Sequence, residues 1–508
     1  MICGYAVSAV QSAEGRAQAG LPEGELMRRA ARGLAQQVAL RLDEGVEGST
    51  TPTRVLVLAG PGHNGGDALL AAALLRRERP HLRIQAVGVA AALHEQARAV
   101  AEEAGVRIHL VRPSPQRAES LPEAVREAVA GAEVVIDGLL GIGGRPGLRG
   151  AMAEVVGKLP STAYTFAVDL PSGTDPAGLA PATHHVQAQE TVTFGVAKPV
   201  HLLPVTEGSV GELTVVDLGL VLDEPPVVER LEASDVAARW PVPVRMDDKY
   251  SRGVLGVVAG GEQYAGAAVL TCTAAVEAGA GMVRYVGTST PSTLVLQAVP
   301  EAVTQPGHVQ AWVVGPGLDI SDTSVAGRAQ VRAARRALGE AVPAVIDAGG
   351  LDLLPDLLTD GPRAAPTLLT PHAGELARLL SMLGRQGPAS VSVDDVLADP
   401  VGHARRAATL TGSTVLLKGT TTLIVDPDET VPLRSQADGP PWLATAGAGD
   451  VLAGLCGVLL AAGLRPRDAG SLAALVHGQA AHRANPGGPV RALAVAKALA
   501  PTIAALLA

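Results

Sequence analysis

Ala446-Gly447-Ala448-Gly449-Asp450-Val451-Leu452-Ala453-Gly454 is the stretch on which the reading of this chain turns. Small residues close a loop, a carboxylate sits at the first turn, and an apolar helix follows over Val451 to Leu460. The free backbone N–H groups at such a helix start form an anion hole, and glycines let a phosphate approach the backbone closely. An aspartate at that mouth acts as a base, or steers a hydroxyl or water beside the phosphate. The plain alternative is an acidic first turn that only suits the helix dipole. The rest of the chain weighs between them.

Working outward, several strand ends converge on this mouth. The strand Trp312 to Val314 runs into Gly315-Pro316-Gly317, and Ala344 to Ile346 ends in Asp347. Thr367 to Leu369 runs into Thr370-Pro371-His372-Ala373-Gly374-Glu375, where His372 and Glu375 open a helix; His372 reads equally as a helix cap. Val415 to Leu417 ends in Lys418-Gly419-Thr420-Thr421-Thr422, a lysine followed by hydroxyls. This half restarts with the strand Val254 to Ala259, after a stretch around Val221 to Asp248 that is rich in Pro and acid. That break places a domain boundary near residue 230 and divides the chain into 1–230 and 231–508.

The first half alternates strand and helix as well. Glu25 to Leu42 reads as an amphipathic helix, and the strand Arg54 to Ala59 leads into Gly60-Pro61-Gly62-His63-Asn64-Gly65-Gly66-Asp67. A helix over Ala68 to Arg77, a strand over Leu82 to Val89, a helix over Ala91 to Ala104 and a strand over Val106 to Val111 follow. Glu133 to Ile136 ends in Asp137, and Tyr164 to Val168 ends in Asp169. Such alternation with continuous apolar strands predicts a parallel, doubly wound α/β sheet, whose ligands sit beyond the carboxyl ends of the strands. Gly60, Asp137 and Asp169 all fall there.

Composition bounds the function. At 508 residues the chain needs more than one core, and 47% apolar residues with only 2% aromatics leave the packing to Ala, Val and Leu. A net charge of -9 without a basic run argues against a nucleic-acid partner. No secretory leader is apparent, and the apolar run after Asp450 is too short to span a bilayer. Cys3, Cys272 and Cys456 are scattered and odd in number, which suits a reducing cytoplasm without structural zinc. Arginine is the default cation. The only lysines are Lys158, Lys198, Lys249, Lys418 and Lys497, so a lysine at a strand end is a candidate compact point charge for a phosphate, whereas Lys249 reads equally as an exposed linker charge.

The Gly60-x-Gly62-x-x-Gly65 loop fits a dinucleotide fingerprint, but the acidic residue expected about 20 residues on is missing. That argues against an ordinary NAD oxidoreductase. The loop instead supplies Asn64 and Asp67, and Asp137 with Ser172 completes an oxygen cage suited to a hard cation. The glycine-rich run Gly141-Ile142-Gly143-Gly144-Arg145-Pro146-Gly147 has the character of a phosphate wrap.

The 60–67 loop, the Val135-Ile136-Asp137 strand end and Val168-Asp169-Leu170-Pro171-Ser172-Gly173 together resemble the NAD(P)H-hydrate epimerase domain, the YjeF N-terminal domain. The likeness covers roughly residues 20–220, including Thr193-Phe194-Gly195 and Lys198. It implies a Rossmann-like sandwich in which Asn64, Asp137 and Ser172 bind K⁺. His63, Asn64, Gly65, Gly66, Asp67, the 141–147 run and Asp169 would contact the damaged cofactor, Asp169 near the reacting centre. In the family loop, Asn-Asn-Gly-Gly-Asp-Gly, His63 and Ala68 here replace the first Asn and the last Gly.

The second half resembles the ribokinase-like ADP/ATP-dependent NAD(P)H-hydrate dehydratase, the YjeF C-terminal domain, over about residues 235–505. Tyr264-Ala265-Gly266-Ala267-Ala268, Val313 to Leu318, Thr370 to Glu375, Leu417-Lys418-Gly419 and Thr445 to Gly454 occur in the family's order. The resemblance implies that Lys418, Gly419, Thr420, Thr421, Thr422 and Gly449 contact ADP or ATP with Mg²⁺. Ala267, Gly317, His372 and Asp450 would contact hydrated NADH or NADPH, with Asp450 as base. Two positions depart from the pattern: Asp347-Ala348-Gly349-Gly350-Leu351 loses a carboxylate, and Asp319 follows Gly317-Leu318. The whole reads as a cytoplasmic, self-associating, bifunctional repair enzyme, with no membrane or nucleic-acid partner. Its rival is a ribokinase-like small-molecule kinase with a non-catalytic N-terminal ligand-binding module.

Overall fold

The computed structural model describes residues 1–45, 54–112, 121–359, 361–384 and 390–508. The chain divides into two compact units, Cys3–Val228 and Glu229–Ala508, the latter together with Met1–Ile2.

The first unit holds a seven-stranded sheet in the spatial order Arg107–Val111, Arg83–Val89, Arg54–Ala59, Val134–Gly138, Tyr164–Val168, Glu190–Phe194, Glu212–Val216. Every neighbouring pair is parallel, as the alternation predicts. Successive side chains of Arg54–Ala59 feed opposite layers: Val55, Val57 and Ala59 join one apolar cluster, Leu56 and Leu58 the other. Burial on both faces is why this strand is continuously apolar. The strand order reverses between Arg54–Ala59 and Val134–Gly138, the switch point at which a doubly wound sheet opens a ligand crevice.

The second unit carries a ten-stranded mixed sheet. Its parallel run is Met282–Tyr285, Val254–Val258, Ala311–Val314, Ala344–Ile346, Thr367–Leu369 and Thr414–Leu417. Thr422–Val425 and Leu433–Gln436 then add antiparallel strands. Helix Ala448–Ala461 lies in the core with Ala265–Glu277, Pro466–Ala484 and Ala492–Leu507, through small residues such as Ala274, Ala453 and Ala473. With few aromatics available, close helix approach takes the place of large side chains.

The structure corrects the local reading at one point that matters. Asn64 to Asp67 do not lie in a loop: the helix begins at His63 and runs to Glu78. Gly65 and Gly66 lie inside this helix, and at 65 only glycine fits. A Cβ at 65 would sit 2.2 Å from the Gly60 carbonyl oxygen.

Candidate functional site

In the first unit, three strand ends are tied together by Asn64. Its amide Nδ2 donates to the Val168 carbonyl at 2.6 Å and to the Leu140 carbonyl at 3.2 Å. Asp137 is fully buried at the end of its strand. Its carboxylate accepts from the Leu139 N–H at 3.2 Å and the Ser172 N–H at 2.8 Å. The Ser172 hydroxyl donates to the Leu140 carbonyl at 3.2 Å. Burial pushes the Asp137 carboxyl up to about 6, against the hydrogen bonds from Ser172 and Leu139. Among the described residues no cationic side chain pairs with it. One buried carboxylate among neutral oxygens fits a monovalent hard cation in charge and in chemistry.

Asp169 lies beside this group in a left-handed conformation, φ 67°, unusual for a residue with a Cβ. Lys198, fully buried, places Nζ 2.5 Å from Asp169 Oδ1. Nζ also donates to Thr193 Oγ1 at 2.8 Å and the Phe194 carbonyl at 3.2 Å, while the Thr193 hydroxyl donates to Asp169 Oδ1 at 2.9 Å. Burial opposes ionisation of Asp169, but Lys198 and Thr193 outweigh it and hold the carboxyl below its ordinary range. His201 Nδ1 accepts from the Lys198 N–H, so the proton sits on Nε2 and is donated to the Asp169 carbonyl at 2.7 Å. Burial, with Lys198 next, drives His201 down to about 4, so the ring is a neutral strut. His63 is exposed at the helix start, and the 141–147 run forms a turn in which the Gly144 N–H donates to the Gly141 carbonyl at 2.8 Å. Arg145 is exposed.

In the second unit, helix Ala448–Ala461 starts from Gly447, whose φ of 86° is the left-handed turn that aims the first N–H groups outward. A Cβ there would meet Leu270 at 2.5 Å. A Cβ on Gly449 would lie 3.3 Å from Lys418 Nζ, so the ammonium stands over the helix mouth. Lys418 is no free surface lysine: Nζ lies 2.8 Å from Asp347 Oδ1 and 3.5 Å from Glu375 Oε2. Burial works against its charge, but those two carboxylates raise its pKa overall. Asp450 faces the same group. Burial, then the charge of Asp347, lifts its carboxyl to about 7, with Lys418 pulling the other way. A carboxylate poised there suits proton abstraction near neutrality.

His372 does cap its helix: Nδ1 accepts from the Gly374 and Glu375 N–H groups at 3.1 and 3.2 Å, and Glu375 Oε2 accepts from the His372 N–H at 2.8 Å. Its ring is more than half exposed, and Nε2 lies 3.4 Å from Glu375 Oε1, so Glu375 holds the ring at the rim of the site. Ala267 and Gly317 meet, since a Cβ on Gly317 would approach the Ala267 methyl to 2.7 Å. Gly419 to Thr421 form the tight turn between antiparallel strands, where Leu417 opposes Leu423.

With this geometry in view, the comparisons fall into place. The NAD(P)H-hydrate dehydratase family model matches residues 255–499, and that of the YjeF-related protein N-terminus matches 23–200. The bifunctional NAD(P)H-hydrate repair enzyme of Mycobacterium leprae is 42% identical over 505 residues, spanning 95% of this chain and 94% of its own. The chain belongs to this family.

The Mycobacterium tuberculosis repair enzyme is 43% identical over 477 residues, covering 91% of this chain and 89% of its own. That of Corynebacterium glutamicum is 33% identical, covering 86% and 83%. Among solved structures, the ADP/ATP-dependent NAD(P)H-hydrate dehydratase of Bacillus subtilis aligns with 55% of this chain and 99% of its own at 23% identity, with a TM-score of 0.47.

Within this repair enzyme one departure from the family pattern has a steric cause. A Cβ at Gly349 would lie 1.9 Å from the Leu318 carbonyl oxygen, so the backbone leaves no room for a carboxylate there. Residues of the two clusters that were not singled out as site residues from sequence include Thr193, Lys198, His201, Asp347, Glu375 and Glu14, the last raised in pKa chiefly by burial, with Lys198, Asp169 and His63 as its charged neighbours. Lys198 carried a signal in the scarcity of lysine, and Asp347 one in its strand-end position. Glu375 had its place in the capping motif, but Glu14, on helix Val7–Ala19, had none.

Proposed function

We propose that the first unit interconverts the R and S epimers of NADH and NADPH hydrate at nicotinamide C6, and that the second unit dehydrates the S epimer with ADP, or ATP, as co-substrate. Hydration places a hydroxyl on C6 and removes the hydride donor, so repair requires that hydroxyl to leave. The observation that carries the reading is the second unit's mouth: Asp450, with its carboxyl near 7, lies at a helix N-terminus under Lys418. Phosphates held by the N–H groups of Gly449 and its neighbours, by Lys418 and by Gly419 to Thr422 would meet the hydroxyl that Asp450 deprotonates. Transfer of a phosphoryl group makes that oxygen a good leaving group, and the ring nitrogen lone pair drives elimination. Ala267, Gly317 and His372 would line the side of the nicotinamide. Positioning and charge stabilisation supply most of the rate gain.

Mg²⁺ would arrive with the nucleotide's phosphates. In the first unit, Asn64, Asp137 and Ser172 would hold K⁺, which organises the strand ends for the substrate. His63 to Asp67 and Gly141 to Gly147 would bind the hydrated cofactor, and Asp169, kept ionised by Lys198, would face its C6. The domains carrying these activities are residues 1–230 and 231–508, in a cytoplasmic, self-associating protein. Exposed Val242, Val244 and Met246 support self-association through the second unit.

The deciding experiment supplies mixed hydrate epimers to the purified chain with Mg²⁺, K⁺ and either nucleotide, and follows the near-ultraviolet absorbance of the dihydronicotinamide. Complete recovery, faster than spontaneous epimerisation, is expected. Recovery that stops at the share of one epimer removes the epimerase, and none with either nucleotide leaves the kinase reading.

A further inference from the structure

We infer that Asp67 is the general acid of the first unit, giving its proton to the C6 hydroxyl as it departs while Asp169 remains ionised. The inference rests on the epimerase reading above. Asp67 projects from the helix that opens at the switch point, is 6% exposed, and its Oδ1 has no hydrogen-bond partner. A buried, ionised carboxylate oxygen without a donor is costly, and as a carboxylic acid that awaits a substrate hydroxyl it costs much less. The charges around it favour the acid form. Burial comes first, then Asp169 and Glu14, and together they hold the Asp67 carboxyl well above its ordinary range.

The neighbouring cation is already committed. Lys198 Nζ has three protons to give, and Asp169 Oδ1, Thr193 Oγ1 and the Phe194 carbonyl accept them at 2.5, 2.8 and 3.2 Å. Glu14 faces Lys198, Asp169 and His63, and burial, as its largest influence, raises it too. Two carboxyl groups of one site are thus set in opposite states by their surroundings: Asp169 with an ammonium and a hydroxyl, Asp67 with neither. That is the arrangement by which acid and base roles are divided between like groups.

The step balances without an added reagent. The C6–O bond breaks as the Asp67 proton joins the hydroxyl, which leaves as water, and the N1 lone pair closes an N1=C6 iminium. The two carboxylates then present face a cationic ring. A second water adds to the opposite face of C6 and yields its proton to Asp169. Proton exchange through solvent returns it to Asp67. The net change is inversion at C6, and the hydroxyl oxygen comes from solvent.

The test uses the full chain with the R epimer as substrate. Asp67→Asn keeps the shape and removes the proton. Its rate of R-to-S conversion is expected to fall about 100- to 10,000-fold, while dehydration of supplied S epimer by the same chain is unchanged. The wild-type rate falls at high pH as Asp67 ionises, and the residual rate of the variant loses that dependence. Conversion by Asp67→Asn at a rate close to wild type overturns the inference. Wild-type conversion in ¹⁸O-labelled water gives a check that needs no variant: label must enter C6 with each inversion, and inversion without label refutes acid-assisted C–O cleavage. No acceleration by the wild-type chain refutes the epimerase reading itself, a result distinct from either.

Discussion

Replacing Asp450 by Asn should slow dehydration severely and, at the same time, stabilise the ligand-free second unit at alkaline pH. The carboxyl is lifted from 3.8 to about 7, chiefly by burial and by Asp347. At about 1.36 kcal/mol per pKa unit, the lift of roughly three units corresponds to about 4 kcal/mol, a ceiling because the side chain keeps some solvent contact. The sign follows from linkage: the folded state holds this proton more tightly than the unfolded state does. The wild-type fold therefore carries no penalty below about pH 4 and loses stability as pH rises through about 7, where ionisation is forced on a buried group. Asn at 450 removes that loss. Trp240, Trp312 and Trp442 are the only tryptophans and all lie in the second unit, so tryptophan fluorescence during urea unfolding reports on that unit alone. The variant's gain over wild type should grow by up to about 4 kcal/mol between about pH 4 and pH 8, while turnover falls on the order of 100- to 10,000-fold. Parallel pH dependences for the two proteins would show that the Asp450 carboxyl is not held up, and the base assignment would go with it.

Dehydration in the wild type should lose about tenfold in rate per pH unit below about pH 7, as Asp450 takes up its proton. Lys418→Met removes the cation that opposes the lift, so that acid limb should move to higher pH while nucleotide binding, read by calorimetry, weakens. Lys198→Met leaves Asp169 charged, buried and unpaired, at a cost of about 3–5 kcal/mol. Amide hydrogen exchange should show that loss in residues 3–228, with the tryptophan signal unchanged. Gly349→Asp, which restores the family's carboxylate, should destabilise the second unit by roughly 1–3 kcal/mol through overpacking against Leu318, read as an earlier fluorescence midpoint. Exchange of K⁺ for a large organic cation should lower the melting temperature of the first unit, and an unchanged melting temperature would count against the Asn64–Asp137–Ser172 cage.

The strands were legible because burial on both faces writes them as unbroken apolar runs, as in Arg54–Ala59 and Val134–Gly138. The glycine-flanked ends that follow them were legible for the same reason. The start of the helix at His63 was not, since Gly65 and Gly66 signal flexibility, and the Gly60 carbonyl that leaves no room for a side chain at 65 is a contact visible only in the fold. Thr422–Val425 and Leu433–Gln436 were hidden too: they are short, and Arg434, Ser435 and Gln436 are polar residues whose burial depends on distant partners. The same limit applies to the sites. Asp450 and Asp169 announce themselves by motif, but the Asp347–Lys418 contact spans 71 positions, and nothing local to Glu14 foretells its place beside Asp169.

The sparse lysines give the protein a built-in gauge of local opening. Lys198 and Lys418 are held in ion pairs with Asp169 and Asp347, whereas Lys158, Lys249 and Lys497 are exposed. An amine-directed reagent will therefore mark three surface positions quickly, reach half-buried Lys418 through the mouth it lines, and reach fully buried Lys198 only when the first unit opens around it. Mass spectrometry of partly labelled chains then yields the opening rate of the first unit from Lys198 and, from the same sample, the shielding of Lys418 when nucleotide is added.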